Sequence, residues 1–204
     1  MPNVVQQSGK TMAVRWCSLA LIFLLVAGCD APVCDCIERI PDTPVFTYFE
    51  PLRSSPSTIA PIAEGEYEVV RVIDGDTLII DDGTGTEIRV RMIGIDAPEV
   101  RPMQPFGLEA KAYVEKKIAK AGGYVRLQFD GDGVDRSGRI RAHVYLTIDG
   151  NDVWLNNLLV LEGYAVSMPG FRYSDGAKKI LVQSEIEARR HKRGMWALSE
   201  SPFP

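Results

Sequence analysis

The sequence predicts an α+β fold, a five-stranded, partly open Greek-key β-barrel carrying three α-helices. Three observations predict it. Five short runs alternate apolar and polar residues or are rich in β-branched ones. Three longer runs repeat apolar residues at helical spacing. Asp-Gly, Gly-Thr-Gly and Gly-Gly turns separate them.

"YEVVRVI" (67–73) and "DTLIIDD" (76–82) read as strands joined by the turn Asp74-Gly75. "GTG" (83–85) makes the next turn, and "EIRVRMIGI" (87–95) alternates as a third strand. "QPFGLEAKAYVEKKIAKA" (104–121) is helical: Phe106, Ala110, Tyr113, Val114, Ile118 and Ala121 share a face, and Gly122-Gly123 ends it. "YVRLQFD" (124–130) and "RIRAHVYLTI" (139–148) are two more strands around a polar loop. "VWLNNLLVLEGY" (153–164) is a short helix with Leu155, Leu158 and Leu159 inward. "SDGAKKILVQSEIEARRHKRG" (174–194) is the last helix, with Ser174 as its cap and Gly194 as its stop. Three strands, a helix and two strands, in that order, fit the OB-fold. OB-folds commonly bind oligonucleotides, but a fold does not by itself establish a function.

The chain has 204 residues, 46% apolar and 25% charged, enough for one globular domain plus extra segments. Its four cysteines, Cys17, Cys29, Cys34 and Cys36, all precede that domain. They cannot staple it, and no paired CxxC zinc motif exists. A net charge of −4 argues weakly against a nucleic-acid partner. The stretch 66–197 is nearly neutral, however, and acids gathered round a cation would leave the rest of its surface mildly basic.

Near the N-terminus, Arg15 precedes an apolar run from Leu19 to Ala27, too short for an ordinary membrane span and of signal-peptide length. Val26-Ala27-Gly28-Cys29 resembles a bacterial lipobox, which implies cleavage before Cys29 and lipid attached to it. A plain secretory signal, an uncleaved anchor and a buried helix stay open as alternatives. Residues 37–65 carry five prolines among Ser and Thr, the composition of a linker. The expected organisation is a signal peptide (1–28), a lipid-attached cysteine and Pro-rich linker (29–65), the folded domain (66–198) and a tail (199–204). The expected location is secreted and lipid-anchored at the cell envelope.

Two acid clusters flank the strands. "IDGDT" supplies Asp74 and Asp76; "IDAPE" supplies Asp96, Ala97, Pro98 and Glu99. Turn chemistry accounts for some of this, since Asp favours turns and strand ends. Yet Asp76 and Asp96 each adjoin an apolar strand, where an unpaired charge is costly, and neither has a basic neighbour at a usual salt-bridge offset. A hard cation held by oxygen atoms, Ca²⁺ or Mg²⁺, would relieve that cost. Arg91 precedes Asp96 on one strand and Arg139 opens a later one; the guanidinium fork suits phosphate oxygens. Cation, spare carboxylate and two arginines together suit phosphodiester cleavage.

"VIDGDT", "VRMIGIDAPE", "DRSGRIRAHVYL" and "LNNLLVLEGYA", in this order, resemble the thermonuclease (staphylococcal nuclease-like) family. The resemblance implies an OB-fold enzyme that requires Ca²⁺, hydrolyses DNA and RNA and leaves 3′-phosphate ends. It makes Asp76, Asp96 and the backbone carbonyl of Ala97 the calcium ligands. Glu99 becomes the group that orients or deprotonates the attacking water, and Arg91 and Arg139 the phosphate binders. Asp74 becomes a turn residue standing behind the ligands. The Lys-Tyr pair that the family places before the loop glycine is Arg136-Ser137 here, and its tyrosines after the second helix are unmatched; only Tyr173 lies nearby, offset. Arg126, Arg141, Lys178 and Lys179 are candidates for backbone contacts, with solvated strand or helix faces the plainer reading. His143 and His191 receive no role. The expected partners are the nucleic-acid substrate and the membrane, with no protein partner. The rival function is a non-catalytic OB-fold lipoprotein that binds nucleic acid or protein.

Overall fold

In the computed structural model, residues 49–51 and 62–198 are described. In chain order the elements are β1 (Gly65–Asp74), β2 (Thr77–Asp81), β3 (Glu87–Met92), β4 (Ile95–Asp96), α1 (Gly107–Lys120), β5 (Tyr124–Gln128) and β6 (Ile140–Ile148). β7 (Asn151–Trp154), α2 (Leu155–Leu161), β8 (Val166–Ser167) and α3 (Asp175–Arg190) follow, and a 3₁₀ turn covers Gly194–Ala197.

β1, β2 and β3 form an antiparallel meander. β5 pairs with β1 and with β6, both antiparallel, and β3 closes the ring by running parallel to β6. The result is the expected five-stranded barrel with three helices; the parallel pair makes it mixed and closes it. Its interior is apolar: Leu78, Ile80, Val90, Ile140, Val144 and Leu146 are fully buried. The predicted face of α1 packs on it through Ala110, Val114 and Ile118.

Three details differ from the sequence reading. The third strand does not run to Ile95. It breaks at Ile93-Gly94, where Gly94 takes φ +78° and an added Cβ would lie 2.8 Å from Leu181 and 2.9 Å from Tyr173. Only glycine fits that turn. β4 then leaves the barrel and pairs with β8, a ribbon too short to be visible as an alternating pattern. Second, Val153 and Trp154 belong to β7, so α2 starts at Leu155; Leu158 is only half-buried, while Asn156 and Asn157 face inward. Asn156 Nδ2 donates to the Ile93 carbonyl (2.9 Å) and Val144 N–H donates to its Oδ1 (2.8 Å), so the buried amide is partnered at both ends and pins the strand break. Third, α3 ends at Arg190 rather than at Gly194. Lys192 enters the left-handed region at φ 51°, and Arg193 N–H returns to the Ala188 carbonyl. Ser174 caps the other end as expected, accepting from Ala177 N–H.

The segment assigned to the linker also contributes to the core. Phe49 is buried, with its ring centroid 4.6 Å from that of His143 and 4.8 Å from that of Trp154. The expectations for Cys29, the signal peptide, most of the linker and the tail lie outside the described residues.

Candidate active site

The β-hairpin register builds the centre. Thr77 opens β2 directly opposite Arg91 on β3, so Asp76, one residue earlier, lies beside the Arg91 side chain. The Gly94 turn brings the chain back, so Asp96 reaches the same guanidinium from the other side. Nη1 of Arg91 donates to Asp76 Oδ1 and Nη2 to Asp96 Oδ1. Neither aspartate has a basic neighbour at a usual salt-bridge offset, yet the fold gives both the same basic partner, Arg91, five residues from one and fifteen from the other. Offset rules for helices and neighbouring strands cannot foresee a pairing made by a turn off the barrel.

Asp76 is fully buried and its oxygens are well supplied. Ala97 N–H donates to Oδ2 (2.6 Å), and the Thr77 hydroxyl donates to Oδ1 (3.0 Å). Burial nevertheless dominates and pushes its carboxyl up to about 7, against the opposing pull of Arg91 and of the Ala97 N–H. Asp96 is one-third exposed and faces outward. Ala97, expected to offer its carbonyl, uses its N–H to hold Asp76.

Glu99 follows on the same turn. Its N–H donates to Gln104 Oε1, and Gln104 N–H donates back to its carbonyl, both at 2.9 Å, a reciprocal clasp that fixes the loop. Gly107, first residue of α1, packs so closely that an added Cβ would lie 2.5 Å from the Glu99 carbonyl oxygen. The Asp74 carboxyl stands close enough to that of Glu99 to act on its charge. Burial first, then the Asp74 charge, raises its pKa, while Arg91 opposes the rise. Asp74, read from sequence as a turn residue behind the ligands, is thus the direct neighbour of Glu99.

Arg139 does not touch this group. Its Nε donates to Asp135 Oδ2 (2.6 Å), and its backbone N–H donates to Asp135 Oδ1 (3.0 Å). It does share a cleft of about 770 Å³ with Arg91, Asp96 and Arg141. Asp76, Ala97 and Glu99 are not among the residues lining that cleft. Asp135 was missed in the sequence, although its i,i+4 spacing to Arg139 was there to be read. Of the other cations considered, Arg141 reaches the cleft. Arg126 pairs with Asp152 (2.6 Å) and Lys178 with Asp175 (3.4 Å), away from it. Tyr173 is fully buried and cannot meet a ligand, and His143 is a buried partner of Asp130 (3.0 Å).

Among the described residues, no three His, Cys, Asp or Glu side chains converge as a metal cage. Two carboxylates and a nearby carbonyl are an all-oxygen donor set. It fits a hard cation that draws the rest of its shell from water and substrate phosphate, and not one caged by protein alone. Arg91 already neutralises the buried Asp76, so such a cation would share the two carboxylates with that guanidinium.

The family model described as "Staphylococcal nuclease homologue" matches residues 89–198, a stretch that includes Arg91, Asp96, Ala97, Glu99 and Arg139. The Thermonuclease of Staphylococcus hyicus is 35% identical over 141 residues, 66% of this chain and 77% of that protein. The Thermonuclease of Staphylococcus intermedius is 36% identical over 134 residues, 64% of this chain and 75% of its own. The Micrococcal nuclease of Shigella flexneri is 35% identical over 135 residues, 64% and 72% respectively. A barrel of the expected topology, a carboxylate–arginine centre beside an open cleft, and these matches agree: the chain belongs to the staphylococcal nuclease family and is a nuclease, an enzyme that hydrolyses phosphodiester bonds.

Proposed function

We propose that the enzyme hydrolyses DNA and RNA in a Ca²⁺-dependent reaction that leaves 3′-phosphate ends. The observation that carries this reading is the pair Asp76 and Asp96, joined through the Arg91 fork at a cleft that also presents Arg139. The carboxylates of Asp76 and Asp96 would hold Ca²⁺, with the Ala97 carbonyl beside them. Bound there, the ion supplies a fixed positive charge to a phosphate oxygen.

The chain's own groups do the rest. Glu99, once ionised, accepts a proton from a water molecule and orients it toward phosphorus. The water oxygen bonds to phosphorus as the bond to the 5′-oxygen breaks, and that oxygen takes up a proton. The phosphate then stays on the 3′ side. Arg91 and Arg139 donate to the phosphate oxygens as charge builds on them. Each is held by carboxylates before substrate arrives and exchanges that partner for phosphate, so each is oriented in advance.

Incubation with single- and double-stranded DNA and with RNA, with and without Ca²⁺, followed by end-group analysis, tests this. Full activity in the presence of a chelator, or 5′-phosphate products, would sink it. We further infer that the enzyme is exported and tethered by lipid on Cys29, from the apolar run 19–27 and the small residues before that cysteine. A mature protein whose mass includes no lipid, or whose first residue is not Cys29, would exclude the tether.

A further inference from the structure

We propose that Arg141 reads the O6/N7 edge of a guanine beside the scissile bond and so gives the enzyme a base preference at one position near its cut. The inference rests on the nuclease reading and adds specificity to it.

Arg141 lines the same cleft as Arg91, Asp96 and Arg139, and strand register explains why. In the parallel pair of β3 with β6 it stands directly opposite Arg91. It also lies two residues past Arg139, the spacing that keeps side chains of an extended segment on one side. Like charges side by side on neighbouring strands repel. Arg91 settles its charge on Asp76 and Asp96, and Arg139 on Asp135. Arg141 does not: among the described residues, none accepts a hydrogen bond from its guanidinium. The acids whose charges reach it, Asp132 and Asp135, are committed to Arg172 (3.0 Å) and Arg139 (2.6 Å). Its fork is half-buried, unused and turned to the cleft.

The setting selects the ligand. The Phe171 ring lies 5.3 Å from the guanidinium carbon and takes up one face of the group. Contact of that kind fixes the plane, so the N–H groups point along set lines. Val134 and Met168 line the cleft with it. Apolar walls would strip a phosphate of water without replacing its hydrogen bonds, and Arg91 and Arg139 already serve the phosphate at the cut. A base suits both parts, having apolar faces and a polar edge. Two parallel N–H donors match guanine, which offers O6 and N7 as paired acceptors. Adenine and cytosine place an amino group on that edge, donor against donor, and thymine offers a single acceptor there.

Low-extent cleavage of a random-sequence single-stranded DNA pool by the full chain with Ca²⁺, followed by sequencing of the new ends, tests this. Guanine should be favoured over adenine and cytosine at one position by roughly fivefold to a hundredfold. In defined strands competing in one reaction, inosine at that position keeps O6 and N7 and should be cut like guanine. 7-Deazaguanine lacks N7 and should lose most of the preference. Arg141→Leu should erase the preference, and Arg141→Gln should move it to adenine, whose N6 and N7 suit an amide. Each readout is a ratio between competing strands, so the amount of folded variant does not enter. Equal use of the four bases by wild type would overturn the proposal, as would 7-deazaguanine cut as fast as guanine. An Arg141→Leu variant that keeps the wild-type ratios would also overturn it; uniform slowing on every base with a flatter salt dependence would make Arg141 a phosphate contact instead. Failure of the wild type to cleave the pool at all would count against the nuclease reading.

Discussion

Arg91 is the side chain whose removal should reveal most. It sits, 16% exposed, between a fully buried carboxylate and a one-third exposed one. Arg91→Lys keeps the charge and loses the fork, so a single ammonium must choose. It will stay with Asp76, because leaving the buried carboxylate unpaired costs more. The bond to Asp96 is then lost, worth about 1–2 kcal/mol for a charged acceptor partly screened by solvent. For a domain of this size that lowers Tm by roughly 3–8 °C. Arg91→Ala strands Asp76 as well, and breaking a buried pair costs about 3–5 kcal/mol. The loss is limited at low pH, where Asp76 takes up a proton. Ca²⁺ should raise Tm more for Arg91→Ala than for wild type, because the ion then meets two carboxylates with no competing guanidinium. Cleavage by Arg91→Lys should fall about 10²–10³-fold, mainly in kcat. Thermal unfolding with and without Ca²⁺, beside single-turnover cleavage, reads all three effects. An Arg91→Ala variant that melts like wild type and gains nothing extra from Ca²⁺ would refute the reasoning.

Asp76→Asn and Asp96→Asn should weaken Ca²⁺ binding and activity together while the barrel stays folded, as calorimetric titration and circular dichroism would show; unaltered Ca²⁺ affinity in both would remove them as ligands. Glu99→Gln should lower kcat by roughly 10²–10⁴-fold with little change in substrate affinity, and full-speed cleavage would take Glu99 out of the mechanism. The rate should rise with pH above the ordinary carboxylate range, because Glu99, whose proton affinity is raised by burial and by the Asp74 charge, must lose its proton to act; a rate independent of pH from 5 to 8 would contradict this. Stability has its own sign. The contribution of Asp76 is full below the ordinary carboxylate range and is lost as pH rises through about 7. His143, held neutral by burial, works oppositely: its contribution is present above about pH 6.5 and is lost as pH falls toward its lowered native value. Unfolding of His143→Phe against pH should lack that acid loss.

The sequence by itself determined the barrel, the helices and the chemical kind of the centre. Those are local matters. Alternation in "RVRMI" makes a strand wherever it lies, Asp-Gly makes a turn, and "IDGDT" and "IDAPE" put oxygen donors at strand ends. Tertiary structure decided which groups meet. Asp96 comes under Arg91 only because Gly94 can take a positive φ against Leu181 and Tyr173, side chains of α3 and the loop before it. Asp74 meets Glu99 across 25 positions, through the turn between β1 and β2. Asp135 holds Arg139 aside, and Phe49 enters a core that composition placed beyond it. Apart from the i,i+4 pair of Asp135 and Arg139, none of these pairings follows from spacing, because they depend on barrel closure, on strand register and on where a two-residue ribbon leaves the sheet. A carboxylate's identity is written in the chain, whereas its burial, its partner and therefore its proton affinity exist only once distant segments pack around it.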